Sequence, residues 1–440
     1  MSIEGDGRRS VTRYWKPPAS SFHGKVDRTE LKREILRRID KSVAERLVSD
    51  VPVGAFLSGG IDSSAIVSAM TRAGKEVKTF TVGFAEDTHD ERRFARMVAE
   101  HLRTDHQELE IKPNAASLLP KLAWHYNEPF ADSSALPSFC LSEFARHHVT
   151  VALSGDGGDE SFAGYPFYFA FAAAGLARSI VPRPIAKVAK ATGLALDPTH
   201  TRYKAFSWAC RIAGTDGNWP DEYSAWSTPA DSIMRSRLYA DALRDVEAHE
   251  FLGRDRESFG EEAPPPSLQV PWLERAIAPA GLAARADMNG WLPDQLLVKM
   301  DVASMAHGLE VRAPLLDRDL IDFAATIPQV QKMRRLKTKG LLKEALMERI
   351  PAAALFRPKQ GFQIPVARWL RTDLHEMMRD LLLGATFRRR QLLKAAEVER
   401  MIVEHETGRH NHANRLWGLI MLELWYRTWI DSAPSLSGPC

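Results

Sequence analysis

Cysteine is scarce in this 440-residue chain: Cys140, Cys210 and Cys440 are too few and too scattered for a disulfide framework or a CxxC metal site. That scarcity fits a reducing compartment, with the cytoplasm as the expected location. Long apolar runs are missing too. The longest, 167–177, is Ala-rich and too short to cross a bilayer, so it reads as a buried helix and no membrane span is expected. No secretory signal is visible, because Glu4, Asp6, Arg8, Arg9 and Arg13 occupy the first fifteen residues without an apolar stretch. Charge of one sign is not in excess either. Lys plus Arg number 59 and Asp plus Glu 56, a formal +3, which gives no case for a nucleic-acid partner. His405, His410 and His412 crowd together but lack HExxH spacing and a nearby cysteine, and read as packing residues.

What is present is an ordinary globular composition, 45% hydrophobic and 26% charged, enough for a core divided between two domains. Residues 1–26, with Pro17 and Pro18, read as an extended lead-in. Asp27 is placed to cap a helix and Glu30 to complete a capping box, and Leu31, Ile35, Ile39, Val43 and Leu47 then recur at helical spacing. The period changes after that. Short apolar strands are predicted at 53–57, 77–82, 106–111 and 149–153, separated by helices at 64–73, 91–102, 117–126 and 136–145. Strands spaced by helices of this length imply an α/β fold with a mostly parallel sheet covered on both faces, and ligands at the carboxyl ends of its strands. Beyond residue 165 the strand signal fades and helical patterns dominate, interrupted by a Pro-rich linker at 261–267. The chain thus divides into the lead-in (1–26), a core with a helical excursion (27–260) and a helical continuation completing the active site (261–440).

Two Gly-rich turns lie at predicted strand ends. In Ser58-Gly59-Gly60-Ile61-Asp62-Ser63-Ser64 the glycines admit a close backbone approach, the serines supply hydroxyls and the helix start supplies free N–H groups, which together make an anion cradle. It is neither a Walker loop nor a dinucleotide turn. Lacking the lysine that clasps a terminal phosphate, it suits released pyrophosphate better than γ-phosphate transfer. Asp62 inside such a nest would repel the ligand unless a cation intervened, so its position argues for magnesium. Ser154-Gly155-Asp156-Gly157-Gly158-Asp159-Glu160 repeats the logic, with Asp156 as the second expected ligand and Asp159 with Glu160 either binding a cation or holding the loop.

These turns, with Phe80-Thr81-Val82-Gly83-Phe84 and Phe162-Ala163-Gly164-Tyr165, resemble the synthetase domain of glutamine-hydrolysing, class B-type asparagine synthetases. So do the runs from Leu296 to Asp301 and from Leu309 to Asp317, the segment from Lys337 to Lys343, the stretch from Arg357 to Phe362 and the tail from His405 to Trp425. The resemblance covers nearly the whole chain, and implies a sheet of the adenine-nucleotide alpha-hydrolase (ATP-pyrophosphatase) type with a large helical carboxyl-terminal portion. It implies ATP and Mg2+ as cofactors and a reaction in which a carboxylate is adenylated and ammonia displaces AMP.

By that resemblance Leu57, Ser58, Gly59, Gly60, Asp62, Ser63, Ser64, Val82 and Gly155 would bind the nucleotide, Asp62 and Asp156 would hold magnesium, and Lys339 would stabilise charge during adenylation and amide formation. Lys299, Asp301, Arg312 and Asp317 would line or brace the crevice, with Lys299 a further catalytic candidate. Glu128, Asp132 and Ser133 would lie near the acceptor pocket. Spacing alone leaves the lysine open: Lys339 and Lys343 share a helix face that Lys337 does not join, and the resemblance selects Lys339. Arg312 stays open between clasping a substrate carboxylate and pairing with Glu310 or Asp317. Family members begin with a glutaminase domain carrying a terminal cysteine, whereas here Ser2 and a short lead-in precede Tyr14-Trp15, so the glutaminase is expected to be absent. The expected partners are a small carboxylate and ammonia, with a separate glutaminase subunit and a homo-oligomer both open. Relatives on this scaffold also modify envelope sugars and antibiotic precursors and close peptides into lactams, and a non-catalytic scaffold is the remaining alternative.

Overall fold

The computed structural model describes residues 1–12, 14, 15, 18, 27–74, 76–84, 86, 90–111, 117–230, 232–244, 272–333, 337–357 and 364–431. The linker expected at 261–267, the motif residues 358–362 and Cys440 lie outside the described residues.

Five parallel strands form the central sheet: β1 (Val53–Phe56), β2 (Lys78–Phe84), β3 (Asp105–Ile111), β4 (Val151–Leu153) and β5 (Glu310–Arg312), in the order β3-β2-β1-β4-β5. β1 pairs β2 through Phe56 and Phe80, and pairs β4 through Ala55 and Leu153. The order reverses at β1, so the topological switch point lies between β1 and β4, and these are the two strands that the Gly-rich turns follow. β5 joins through Leu153 and Arg312. The alternation pattern offers no sign of this fifth strand, because three residues are too few to display a period of two.

Strand alternation sorts side chains into two layers. Phe56, Phe80, Val82 and Phe84 enter one core with the helices α4 (Leu119–Tyr126) and α5 (Ala135–Arg146) and the late Ala413–Trp425 helix. Ala55, Leu57 and Leu153 enter the other, beneath α1 (Arg28–Arg46), α2 (Ile61–Arg72) and α3 (Arg92–Leu102). Helix α1 buries Leu31, Ile35, Ile39 and Val43, the stripe its sequence spacing predicts, and Asp27 caps it by accepting from the Thr29 N–H at 2.8 Å. Helix α2 begins three residues earlier than its apolar pattern indicates, which places Asp62 in the first turn, where the helix dipole favours a negative charge.

A third core joins Ala163, just after α6 (Gly158–Phe162), and α7 (Pro166–Ile180) to the Trp272–Asn289 helix. The Ala-rich run 167–177 lies within α7, with Tyr168, Phe171, Ala172 and Ala174 buried. No helix among the described residues is long and apolar enough to cross a membrane. This third core also holds acids. Asp287 accepts hydrogen bonds from the hydroxyls of Tyr168 and Tyr223, the latter at 2.5 Å, and Glu160 accepts from Tyr165 at 2.9 Å. Burial, reinforced by the charge of Asp159, pushes the Glu160 carboxyl up to about 8. Burial likewise pushes Asp287 up to about 7, although its two tyrosine hydrogen bonds pull the other way.

Both carboxyls hold a proton in the folded chain where ordinary Asp and Glu, at 3.8 and 4.5, have lost theirs. Their stabilisation is therefore complete below about pH 4 and is lost as pH rises through 7 to 8, at up to about 1.4 kcal/mol per pH unit for each group. Thermal melts followed by circular dichroism are expected to show stability falling between pH 5 and 8, and Asp287→Asn and Glu160→Gln are each expected to flatten that fall. An unchanged slope in both variants would show that neither carboxyl titrates in this range.

Candidate active site

The two Gly-rich turns meet. Gly59 has φ +68°, and a Cβ there would lie 2.4 to 2.6 Å from the Phe94 carbonyl and the Ala95 nitrogen, so only glycine lets α3 approach this closely. Across the switch point, a Cβ on Gly155 would lie 2.9 Å from Asp62 Cβ and from the Ser63 nitrogen, and one on Gly158 would lie 2.2 Å from Asp62 Oδ1. The second loop is thus packed directly on the first turn of α2. Within the first loop Gly60 N–H donates to Ser58 Oγ at 3.2 Å and the Ser58 N–H donates to Ser63 Oγ at 3.3 Å. Ser64 differs from the other serines of the loop: it is wholly buried, with its N–H bonded to Gly60 O.

Lys339 joins both loops. Its ammonium is bonded to Asp62 of the first and lies 2.6 Å from Asp159 Oδ1 of the second, with the residue only 4% exposed. Burial works against the charge, but Asp159 and Asp62 outweigh it and hold the lysine above its ordinary value. The backbone is shaped to deliver this side chain. Lys339 has φ +53° at the start of the Gly340–Leu346 helix, and its N–H donates to Ala163 O, itself a left-handed residue at φ +58°. Two non-glycine residues in the left-handed region at one contact carry backbone strain, which the surrounding packing must sustain. Asp156, the ligand predicted beside Asp62, accepts from Ser154 Oγ at 2.7 Å, and the carboxylate that shares the lysine with Asp62 is Asp159.

Arg357 is a residue that sequence reasoning includes in a motif without giving it a role. It donates to Glu91 Oε1 at 2.6 Å, stacks over the Phe94 ring at 4.7 Å and reaches Gly59 O at 3.4 Å, so it clamps the first loop from behind. Leu57 and Val82 are buried as whole residues, and the Leu57 N–H donates to Phe80 O at 2.9 Å. β1 ends at Phe56 opposite Phe80, and Val82 lies beyond that last pair with β1.

A second polar cluster surrounds Lys299. Its Nζ donates to Ser134 Oγ at 2.9 Å and lies 3.7 Å from Asp132 Oδ2, while Asp132 Oδ1 accepts from the Ser134 hydroxyl at 2.7 Å. Ser134, the neighbour of the predicted Ser133, is the serine engaged. Tyr126 fixes the base of the cluster by donating to Lys299 O at 2.8 Å. Glu128 and Asp301 are exposed and join neither cluster through the recorded contacts. Arg312 and Asp317 lie in a bracing position: Arg312 donates to the carbonyls of Arg46 and Val48 and to Glu310, and Asp317 caps the Arg318–Thr326 helix and accepts from Arg46.

The histidines have other occupations. Glu404, His410 and His412 come within metal-binding distance of one another. However, Arg415 donates to His412 Nδ1 at 3.2 Å, which leaves the imidazole proton on Nε2, 2.9 Å from Glu404 and on the nitrogen that a metal would need bare. Burial pushes the Cys140 thiol up to about 12, so it is a poor nucleophile at neutral pH.

Comparison with known proteins gives the chain's family. Residues 34–427 match the family model described as asparagine synthase. A putative glutamine-hydrolysing asparagine synthetase of Mycobacterium tuberculosis is 31% identical over 98% of this chain and 63% of its own length. Asparagine synthetase [glutamine-hydrolyzing] 1 of Bacillus subtilis is 27% identical over 97% of the chain and 63% of its length, and an amidase of Penicillium rubens is 24% identical over 84% and 58%. The chain thus spans less than two thirds of the length of these relatives. With ordered matches over nearly all of its residues, it belongs to the asparagine synthase family.

Proposed function

We propose that the chain is an ATP-dependent carbon-nitrogen ligase that activates a carboxylate as its acyl-adenylate and transfers the acyl group to ammonia, in an asparagine synthetase-like reaction. The observation that carries this reading is the buried Lys339 ammonium bonded to one carboxylate from each of the two loops at the switch point. The site's donor set also fits magnesium: Asp62 and Asp159 offer only oxygen, and their shared hold on an ammonium marks a position whose field favours a cation. These two carboxylates would hold the ion, which would neutralise the polyphosphate of ATP. We assign the second ligand to Asp159 rather than Asp156, since Asp159 converges with Asp62 on one cation and Asp156 is engaged by Ser154.

In the first step an oxygen of the acceptor carboxylate bonds to the α-phosphorus and the bond to the bridging oxygen breaks, releasing pyrophosphate. Ser58, Gly59, Gly60 and Ser63 present N–H and hydroxyl groups to that leaving group, and Arg357 keeps their loop in place. Lys339 lowers the barrier if its ammonium meets the charge that develops on the α-phosphate, a contribution of roughly 3 kcal/mol from one well-placed donor. In the second step neutral ammonia attacks the acyl carbon, AMP departs with the electron pair of the broken C–O bond, and the surplus proton passes to solvent. The Lys299, Ser134 and Asp132 cluster is the assigned acceptor-orienting group. Nitrogen comes from free ammonia or from a glutaminase that delivers it. Relatives named as amidases also match most of the chain, and a second reading keeps the same chemistry but with another carboxylate or in closing a lactam.

Incubation with ATP, magnesium, ammonium and a panel of carboxylates is expected to yield AMP, pyrophosphate and an amide identified by mass. Formation of ADP and phosphate would overturn the reading. Lys339→Ala is expected to lower single-turnover AMP formation by about 100-fold with nucleotide affinity retained, and a defect explained wholly by weaker ATP binding would remove its catalytic role. Asp62→Asn and Asp159→Asn are each expected to lower adenylation by at least about 100-fold, against about tenfold for Asp156→Asn. Magnesium titrations of the rate check the order, and a larger loss at Asp156 would return the ligand role to it.

A further inference from the structure

One short segment grips Lys339 at two points. Its ammonium meets Asp159 near the start of α6, and its N–H donates at 3.2 Å to the carbonyl of Ala163, the residue that ends the same helix. Gly164 lies against both partners, since a Cβ there would collide with Asp159 Oδ1 and with Lys339 Cε. The segment 159–165 therefore sets where the lysine sits. Its own shape is not relaxed. Ala163 holds φ +58° without being glycine, a conformation that persists only where neighbouring contacts hold it.

Two bonds close the segment around that residue. One is backbone, from the Gly164 N–H to Asp159 O at 2.8 Å. The other joins side chains: Tyr165 Oη donates to Glu160 Oε1 at 2.9 Å, from one side of Ala163 to the other. Neighbouring acids thus have different partners, Asp159 the lysine and Glu160 the tyrosine. Glu160 is 3% exposed, so its bond is made away from water. Tyr165 is in turn anchored at the start of α7, its ring stacked with Phe167 at 5.7 Å and edge-on to Tyr168 at 5.5 Å. The side-chain bond therefore ties the strained turn to the third core.

We propose that Tyr165 and Glu160 are positioning residues, whose hydrogen bond holds the left-handed turn at Ala163 and so aims the Lys339 ammonium. A buried bond of this kind is costly to leave unmade. Its loss lets the turn relax, and relaxation moves the Ala163 carbonyl and the Asp159 carboxylate, the two points by which the lysine is held. Neither Tyr165 nor Glu160 needs to touch a substrate for this. The consequence for rate rests on the ligase reading above, whereas the placement of Lys339 does not and is measurable without turnover.

Tyr165→Phe, which removes only the hydroxyl, is expected to lower single-turnover AMP formation about tenfold, the rate equivalent of one hydrogen bond, with ATP affinity retained. In a Lys339→Ala background the same substitution should add no further loss, because its effect passes through the lysine. Glu160→Met should behave like Tyr165→Phe, and Glu160→Gln should recover most of the rate, since its amide keeps an acceptor for the hydroxyl. Acetylation of lysines in the ATP-free protein, followed by mass spectrometry, reads the placement directly. Lys339 is expected to label about tenfold faster in Tyr165→Phe and Glu160→Met than in the parent, while Lys299, also buried but in the other cluster, keeps its rate. Equal rate losses with and without Lys339, or faster labelling of Lys299 together with Lys339, would show that the pair merely supports the core and would overturn the proposal. Parent-like labelling of Lys339 in both variants would overturn it as well. A parent chain that forms no AMP would count against the ligase reading alone, and the labelling would still decide the positioning.

Discussion

The ammonium of Lys339 lies between Asp62 and Asp159, and three separate parts of the chain must be in register for that contact to form. Asp62 needs α2 to start directly after the first glycine turn. Asp159 needs the second turn to pack on Asp62 and Ser63, which the bare glycines at 155 and 158 permit. Lys339 itself needs a left-handed backbone held by the Ala163 carbonyl. A buried lysine that lost its acids would be a strongly destabilising uncompensated charge, so the contact is demanding as well as informative. On the proposed reading this demand has a use: the positive charge is already oriented, and already dehydrated, where an α-phosphate would gain negative charge.

The sheet explains why these parts can meet. With β1 and β4 adjacent, loops separated by nearly a hundred residues of sequence emerge at neighbouring strand ends, and the reversal of strand order leaves space above them. β5 adds the edge beyond β4 and carries Arg312 to the end of α1, where it ties the sheet to the first helix rather than reaching the crevice. The tyrosine-bound acids Glu160 and Asp287 sit behind the second loop, and Asp159 touches on both electrostatically. The cores beneath the site and the charges within it are therefore one connected arrangement.

Much of this was legible in the residues themselves. The alternation of short apolar strands with helices indicated a parallel sheet, and two glycine turns at strand ends indicated where ligands gather. What could not be read was anything depending on contacts between distant residues. The proposed preference for Asp159 over Asp156 turns on which carboxylate meets a lysine 180 residues later in the chain, and three residues of spacing within one acidic loop cannot reveal that contact. The clamp from Arg357 to the first loop spans almost 300 residues and rests on an aromatic ring of α3 and on Glu91 just before that helix. That Ser64 is turned into the core follows from the helix beginning at Ile61, earlier than its apolar pattern indicates. β5 was hidden by its brevity, and Lys339 was selected by family resemblance rather than by helical spacing.

On the proposed reading the carboxylate of the acceptor becomes bonded to the α-phosphorus of ATP. An acceptor that yields amide, labelled with oxygen-18 in its carboxylate and turned over with ammonium, tests this directly by mass spectrometry of the nucleotide product. AMP is expected to carry one labelled oxygen, because the acyl C–O bond breaks when ammonia displaces AMP. Label in inorganic phosphate, with ADP as the nucleotide product, would mean that an acyl phosphate is formed instead, and would contradict it.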